Sequence, residues 1–209
     1  MSQCPFHYAD YRCTGDEPIA RFVDAFPLAL ITSYQDGRFC SSHIPLLSNP
    51  DGTLFGHVDR RNPQFEGRSG FEAHIVFMGP SSYIPPEGYR NRQLPTWNYL
   101  AVHMDARIEV IDREAEALAI LERTAERLAH YGSAYRVDPQ DPRVVANLPH
   151  ILGLSIVPSQ VEGRFKLSQD KREEDRAAAL DWFIEEQGRD LRGLLESLKD
   201  FAGQPAARG

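Results

Sequence analysis

LALITSYQDGRFCSSHIPLLSNPDGTLFGHV, residues 28–58, is the stretch whose reading decides the fold. It divides into three apolar-rich runs, 28–34, 38–47 and 53–58, separated by two turn signals. Asp36–Gly37 is a two-residue hairpin signal, because that turn needs left-handed backbone that glycine adopts freely and aspartate tolerates. Asn49-Pro50-Asp51-Gly52 repeats the same chemistry one strand later. Two hairpins in succession predict three antiparallel strands.

Upstream, EPIARFVDAF (17–26) places Ile19, Phe22, Val23 and Phe26 at helical spacing, and Pro27 ends the helix. Downstream, FEAHIVFMGP (71–80) reads as a strand bounded by Gly79 and Pro80, and SSYIPPEGYRNRQLP (81–95), with three prolines, reads as a loop. TWNYLAVHMDARIEVID (96–112) is aromatic-rich and alternating, so it predicts one or two long strands. A helix follows over 113–131, with Ala115, Leu118, Leu121 and Leu128 on its core face and Gly132 at its end. A short helix over 141–149, one or two strands over 151–168, and helices over 170–200 with a break at Gly188 complete the chain, ahead of a frayed tail. The expectation is an α+β protein on an antiparallel sheet or barrel with peripheral helices. It forms a single domain over 1–209, with its core at about 20–170. No strand–helix–strand unit opens on a glycine-rich turn, which excludes a Rossmann fold.

With 42% hydrophobic and 25% charged residues the chain can bury a core without staples. A net charge of −7 argues against a broad nucleic-acid surface and against direct DNA binding. Cys4, Cys13 and Cys40 are odd in number and irregular in spacing, which predicts free thiols in a reducing compartment. The start MSQCPFHYADYR lacks an apolar segment, and no apolar run approaches the roughly 20 residues of a membrane span, so a soluble cytoplasmic protein is expected.

Four segments carry candidate chemistry. In GHVDRRNPQ (56–64) a strand ends into two arginines and an asparagine. The guanidinium fork of Arg60 and the amide of Asn62 suit a phosphate, and equally a solvated charged turn. In PTWNYLAVH (95–103), Trp97 and Tyr99 share a strand face and can wall a flat heterocycle, or else form a core or dimer cluster. His43 and His57 sit in neighbouring strand segments, where two imidazoles can ligate a metal or satisfy each other. In EGRFKLSQDKREEDR (162–176), Lys166, Ser168 and Gln169 are donors, with Lys166 and Ser168 expected on one strand face. No GxSxG, P-loop or zinc-finger spacing is present, so no catalytic residue is assigned.

Together, HIPLL (43–47), GHVDRRNPQ, FMGPSSYI (77–84), PTWNYLAVH and EGRFKLSQDKREEDR resemble the PaiB family of FMN-binding negative transcriptional regulators, over about residues 20–176. The family belongs to the split-barrel flavoproteins, similar to pyridoxamine-phosphate oxidases and flavin reductases. The resemblance implies an antiparallel split barrel, a homodimer, and FMN in clefts at the subunit interface. It puts Arg60 on the phosphate with Asn62 and Lys166, and Trp97 and Tyr99 at the isoalloxazine. His43, His57 and Gln169 become polar contacts to the ring or ribityl chain. The chain departs from the family in YIPPEGYRNRQLPTWNY, which is shorter than usual and holds Glu87 or Gly88 where a tryptophan is expected. That change keeps haem open as the alternative cofactor, with His43, His57, His74 and His103 as iron candidates.

Three functions follow. The first is an FMN-dependent oxidoreductase acting on a small molecule with NAD(P)H as hydride donor, which needs no acid–base constellation. The second is a haem-binding oxygenase or haem-degrading enzyme. The third is a PaiB-type regulator, or a cofactor carrier, without turnover.

Overall fold

The computed structural model describes residues 8–187; Cys4, the break at Gly188, the helix expected over 188–200 and the tail lie outside the described residues. The strands are β1 (Arg12–Cys13), β2 (Leu28–Gln35), β3 (Arg38–Pro45), β4 (Leu47–Ser48), β5 (Leu54–Asp59), β6 (Gly70–Ile84), β7 (Thr96–Ile111) and β8 (Ile151–Lys166). The helices are α1 (Asp16–Ala25), α2 (Glu114–Arg127), α3 (Pro142–Asn147) and α4 (Glu173–Gln187). None among the described residues is long and apolar enough to cross a membrane.

The α+β antiparallel expectation holds. The sheet runs β3-β2-β6-β7-β8-β5-β4, with β1 added on β8, and every recorded register is antiparallel. Asp36 and Gly37 both have positive φ, as the β2–β3 hairpin requires. The sheet's two ends, β3 and β4, are consecutive in the chain and separated only by the buried Leu46, so the sheet curls until its edges meet. Gly56 of β5 makes the approach possible: a Cβ there would stand 2.8 Å from both the Pro45 carbonyl oxygen and Leu46 Cδ2. No ladder joins β3 to β4 or β5, so the barrel is split rather than closed.

The chain separates into two compact units. One comprises residues 1–79 and 99–166. Its core fills one face of the sheet with Ile31, Ile75, Phe77, Val102, Ile108, Leu154 and Ile156, and α1 adds Phe22 and Val23. The other comprises residues 80–98 with 167–209, and its described core gathers Ile84, Tyr89, Ala179 and Phe183.

Three details differ from the sequence reading. β6 runs on to Ile84, through a segment expected as loop, because Ser82 and Ile84 alternate inward while Ser81 and Tyr83 face out. α2 turns Ala117 and Ile120 inward and leaves Ala115 exposed. Its sequence is apolar on several sides, so periodicity alone does not choose the face; Ile120 packs against Leu47 and Phe55, and that contact does. The strand ends at Lys166, and Ser168 adopts a left-handed backbone instead of sharing its face.

Candidate functional site

In the first unit, side chains on the sheet face opposite the core form one continuous surface. Strand alternation puts His43 of β3, Leu30 of β2, His74 of β6, His103 of β7 and Lys166 of β8 on it. Across β7 and β8 the pairs on this face are Tyr99 with Lys166, Ala101 with Arg164, and His103 with Glu162. β1 extends the surface by pairing Arg12 with Arg164.

These residues make a directed chain of hydrogen bonds. Arg164 Nη1 lies 3.2 Å from His103 Nε2. His103 Nδ1 lies 3.1 Å from His74 Nε2, and His74 Nδ1 lies 2.8 Å from Asp105 Oδ1. On the other side Glu162 divides its carboxylate: Oε1 accepts from Arg164 Nε at 3.0 Å and Oε2 from Arg12 Nε at 2.9 Å. Lys166 Nζ stands 5.9 Å from the centre of the Tyr11 ring. The surface at β8 is therefore cationic, ordered and floored by the small Ala101. Arg12, Asp105, Glu162 and Arg164 were not singled out from the sequence. The signal for Glu162 and Arg164 is the period-two charge pattern of EGRFK at the end of β8.

The same face carries apolar side chains with no cover in this unit's core. Leu28, Tyr34, Phe39 and Met78 are each more than half exposed, and the Tyr34 and Phe39 rings meet edge to face with centroids 5.0 Å apart.

The other expected site residues lie elsewhere. β3 and β5 are not ladder neighbours: His43 pairs with Leu30 and His57 with Gly153. His43 is exposed; His57 is half-buried under α2, and burial pushes its imidazole below its ordinary value. Arg60 donates from Nε to the Pro149 carbonyl at 2.7 Å, reaches the Ile151 carbonyl at 3.5 Å, and pairs with Asp112. Asn62 builds the following turn, accepting the Gln64 N–H at 3.0 Å and donating to Ser42 Oγ at 3.0 Å. Arg61 is held by Asp59, whose carboxyl is kept far below the usual range by hydrogen bonds from Arg61.

Trp97 and Gln169 belong to the second unit. Trp97 is half-exposed, with its ring tilted against Tyr83 at 6.3 Å, while Asn98 beside it is fully buried and donates to Ser168 Oγ at 3.1 Å. Gln169 folds back so that Oε1 accepts the Leu167 N–H at 2.6 Å. The short loop before β7 is tied down within this unit: the buried Asp175 accepts from the Asn91 N–H at 2.8 Å and from Gln93 Nε2 at 2.7 Å. No group of three metal-ligating side chains occurs among the described residues.

A family model described as "Putative FMN-binding domain" matches residues 6–160. Protease synthase and sporulation protein PAI 2 of Bacillus subtilis is 27% identical over 197 residues, covering 91% of this chain and 94% of that protein. An uncharacterized protein of Aspergillus fumigatus is 27% identical over 240 residues, covering 87% and 92%. Among solved structures, the FAD and Heme binding protein from Mycobacterium smegmatis aligns with a TM-score of 0.60 at 17% identity over 80% of each chain. The flavocytochrome Anf3 from Azotobacter vinelandii aligns with a TM-score of 0.62 at 15% identity, over 83% of this chain and 78% of that one. At these identities the likeness is one of fold, and it agrees with the split antiparallel barrel seen here.

Proposed function

Because the chain belongs to the FMN-binding-domain family whose model spans residues 6–160, we propose that it is an FMN-binding split-barrel protein working as a homodimeric oxidoreductase on a small molecule. The observation that carries the site is the Tyr99–Lys166 cross-strand pair, at the end of a surface that also holds Arg164 and Arg12. A lysine paired across strands with a tyrosine offers the two things FMN needs, a charge for the phosphate and a plane for the isoalloxazine. Ala101 next along β7 keeps the floor low. In this reading Lys166 holds the phosphate, Tyr99 borders the ring, and His43 is a polar contact on the same face. Arg60 and Asn62 serve the turn after β5, and Trp97 and Gln169, in the other unit, are given no part.

A second copy of the chain covers the apolar residues Leu28, Tyr34, Phe39 and Met78, which otherwise leave a hydrophobic patch in water. Held by Lys166, Tyr99 and His43, FMN would supply redox chemistry between a hydride donor such as NAD(P)H and a small substrate or oxygen. The protein's own residues would bind, orient and exclude water. Cys13 and Cys40 are free thiols, which supports a cytoplasmic setting. The regulatory reading keeps one support, the full-length likeness to a Bacillus protein named for protease synthesis and sporulation. Haem ligation finds less: His74 and His103 spend all four ring nitrogens on each other, Asp105 and Arg164.

Titration of the purified protein with FMN, followed by flavin fluorescence and light scattering, tests the proposal. Quenching that saturates at one FMN per chain in a dimer, with NADPH-dependent flavin reduction, is expected. A monomer that leaves FMN fluorescence unchanged overturns it.

A further inference from the structure

Within the first unit, α2, α3 and the 133–137 segment lie over the outer side of β5 and border an open cavity of about 590 Å³. That size falls in the range of roughly 300–1,000 Å³ typical of small-molecule sites. Leu121, Leu128, Val144 and Ile151 supply apolar walls. The polar lining groups are mostly spent on the protein. Thr124 Oγ1 donates to the Ile120 carbonyl at 2.7 Å, Ser133 Oγ accepts the Tyr135 N–H at 3.1 Å, and Asn147 Nδ2 donates to the Arg143 carbonyl at 2.7 Å. Arg143 is neutralised by Asp141, with Nη2 and Oδ2 2.6 Å apart.

The exposed Tyr135 hydroxyl and His57 are the exceptions, and of the two His57 is the more buried. It lines the cavity, is half-buried, and makes no hydrogen bond among the described residues. Its burial favours the neutral ring, which carries one donor and one acceptor. Among the described lining residues no unpaired charge therefore faces the cavity, and His57 offers it an unspent hydrogen-bonding group.

The geometry points to a second small-molecule site: a neutral, largely apolar compound lies among Leu121, Leu128, Val144 and Ile151 and bonds His57 through one hydroxyl or carbonyl. The site is separate from the Tyr99–Lys166 pair. His57 pairs with Gly153 near the start of β8, whereas Lys166 closes that strand, which is about 40 Å of extended backbone away at roughly 3.3 Å per residue. An anionic cofactor gains nothing in such a lining, since its charge finds no free partner there.

The test uses 2-naphthol as probe, a fused apolar ring with one hydroxyl, in calorimetric titration of the full chain. One saturable site per chain is expected. Binding weakens about tenfold in His57→Phe, the size of one lost hydrogen bond, and disappears in Leu121→Trp and Val144→Trp, whose indoles fill the cavity. Cooperative thermal melting of each variant establishes that it is folded. In the wild-type protein the probe shifts the methyl resonances of Leu121, Val144 and Ile151, a readout independent of any variant. Absence of saturable binding, binding indifferent to all three substitutions, methyl shifts confined elsewhere, or displacement of the probe by FMN overturns the assignment.

Discussion

His74 Nε2 and His103 Nδ1 lie 3.1 Å apart, and the groups on either side of them determine which nitrogen of each ring carries the proton. The guanidinium of Arg164 has only donors, so the His103 Nε2 it reaches must accept. His103 then carries its proton on Nδ1 and donates it to His74 Nε2. His74 in turn carries its proton on Nδ1 and donates to Asp105. Every bond in the chain points from Arg164 toward Asp105. Long-range ¹H–¹⁵N correlation spectra at pH 8 should show the Nδ1–H tautomer in both rings. Arg164→Met removes the donor that imposes this order, and the two ring patterns should then change together. An Nε2–H signal from His103 in the wild-type protein would contradict the chain as described.

Lys166 and Arg60 are both cations, and the proposed site gives them different work. Lys166 pairs across strands with Tyr99, while Arg60 ties the end of β5 to the carbonyls of Pro149 and Ile151 and to Asp112. Lys166→Ala should weaken FMN binding by about ten- to a hundredfold, the size of a lost charge-assisted hydrogen bond, with little change in melting temperature. Arg60→Ala should do the reverse: it leaves FMN affinity nearly unchanged and lowers unfolding free energy by about 1–2 kcal/mol. Fluorescence titration beside denaturant melts separates the two. If Arg60→Ala abolishes FMN uptake in a folded protein, the phosphate belongs to Arg60 after all.

Gly56 sits where the two edges of the curled sheet approach, and the space beside it is already filled by the Pro45 carbonyl and Leu46. Backbone cannot move aside as a flexible side-chain tip can. Gly56→Ala should therefore cost about 1–3 kcal/mol, the usual penalty for overpacking, and should raise amide exchange in β3 and β5 before the rest of the sheet. Unchanged stability would mean that the split edge has slack.

What the sequence disclosed was local, and what it concealed was not. The Asp36–Gly37 hairpin, α1 with its Phe22 stripe, and the alternating β7 were all legible, because turn chemistry and side-chain period act within a few residues. The different ladder partners of His43 and His57 were not, because those of His57 depend on β5 pairing with β8 across nearly a hundred residues of chain. The guanidinium fork of Arg60 was legible as a donor set, whereas the carbonyls of Pro149 and Ile151 that it reaches come from about ninety residues further along the chain. Trp97 and Tyr99 were paired by alternation, and the buried Asn98 between them upholds that alternation. The Arg164 chain needed the registers of β1, β7 and β8, which no local pattern supplies.

Asp175 is a fully buried carboxylate at the heart of the second unit's loop anchor. Burial pushes its carboxyl up, but the bonds from the Asn91 N–H and from the side chains of Gln93 and Asn91 outweigh this and leave it below the ordinary value of 3.8. A carboxyl lowered by folding contributes stability that is fully present above its unfolded value and is lost as the pH falls through the folded one. The 85–95 loop should accordingly hold its amides firmly at neutral pH and release them only when the solution becomes more acidic than about pH 3.8. Asp175→Asn removes the charge and exchanges one accepting oxygen for a donor that faces the donor Gln93. In that variant, hydrogen exchange at Asn91 should be fast already at pH 7 and lose its dependence on acid. Equal protection of Asn91 in both proteins would show that the aromatic and apolar contacts of Tyr89 and Ile84 hold the loop without the carboxylate.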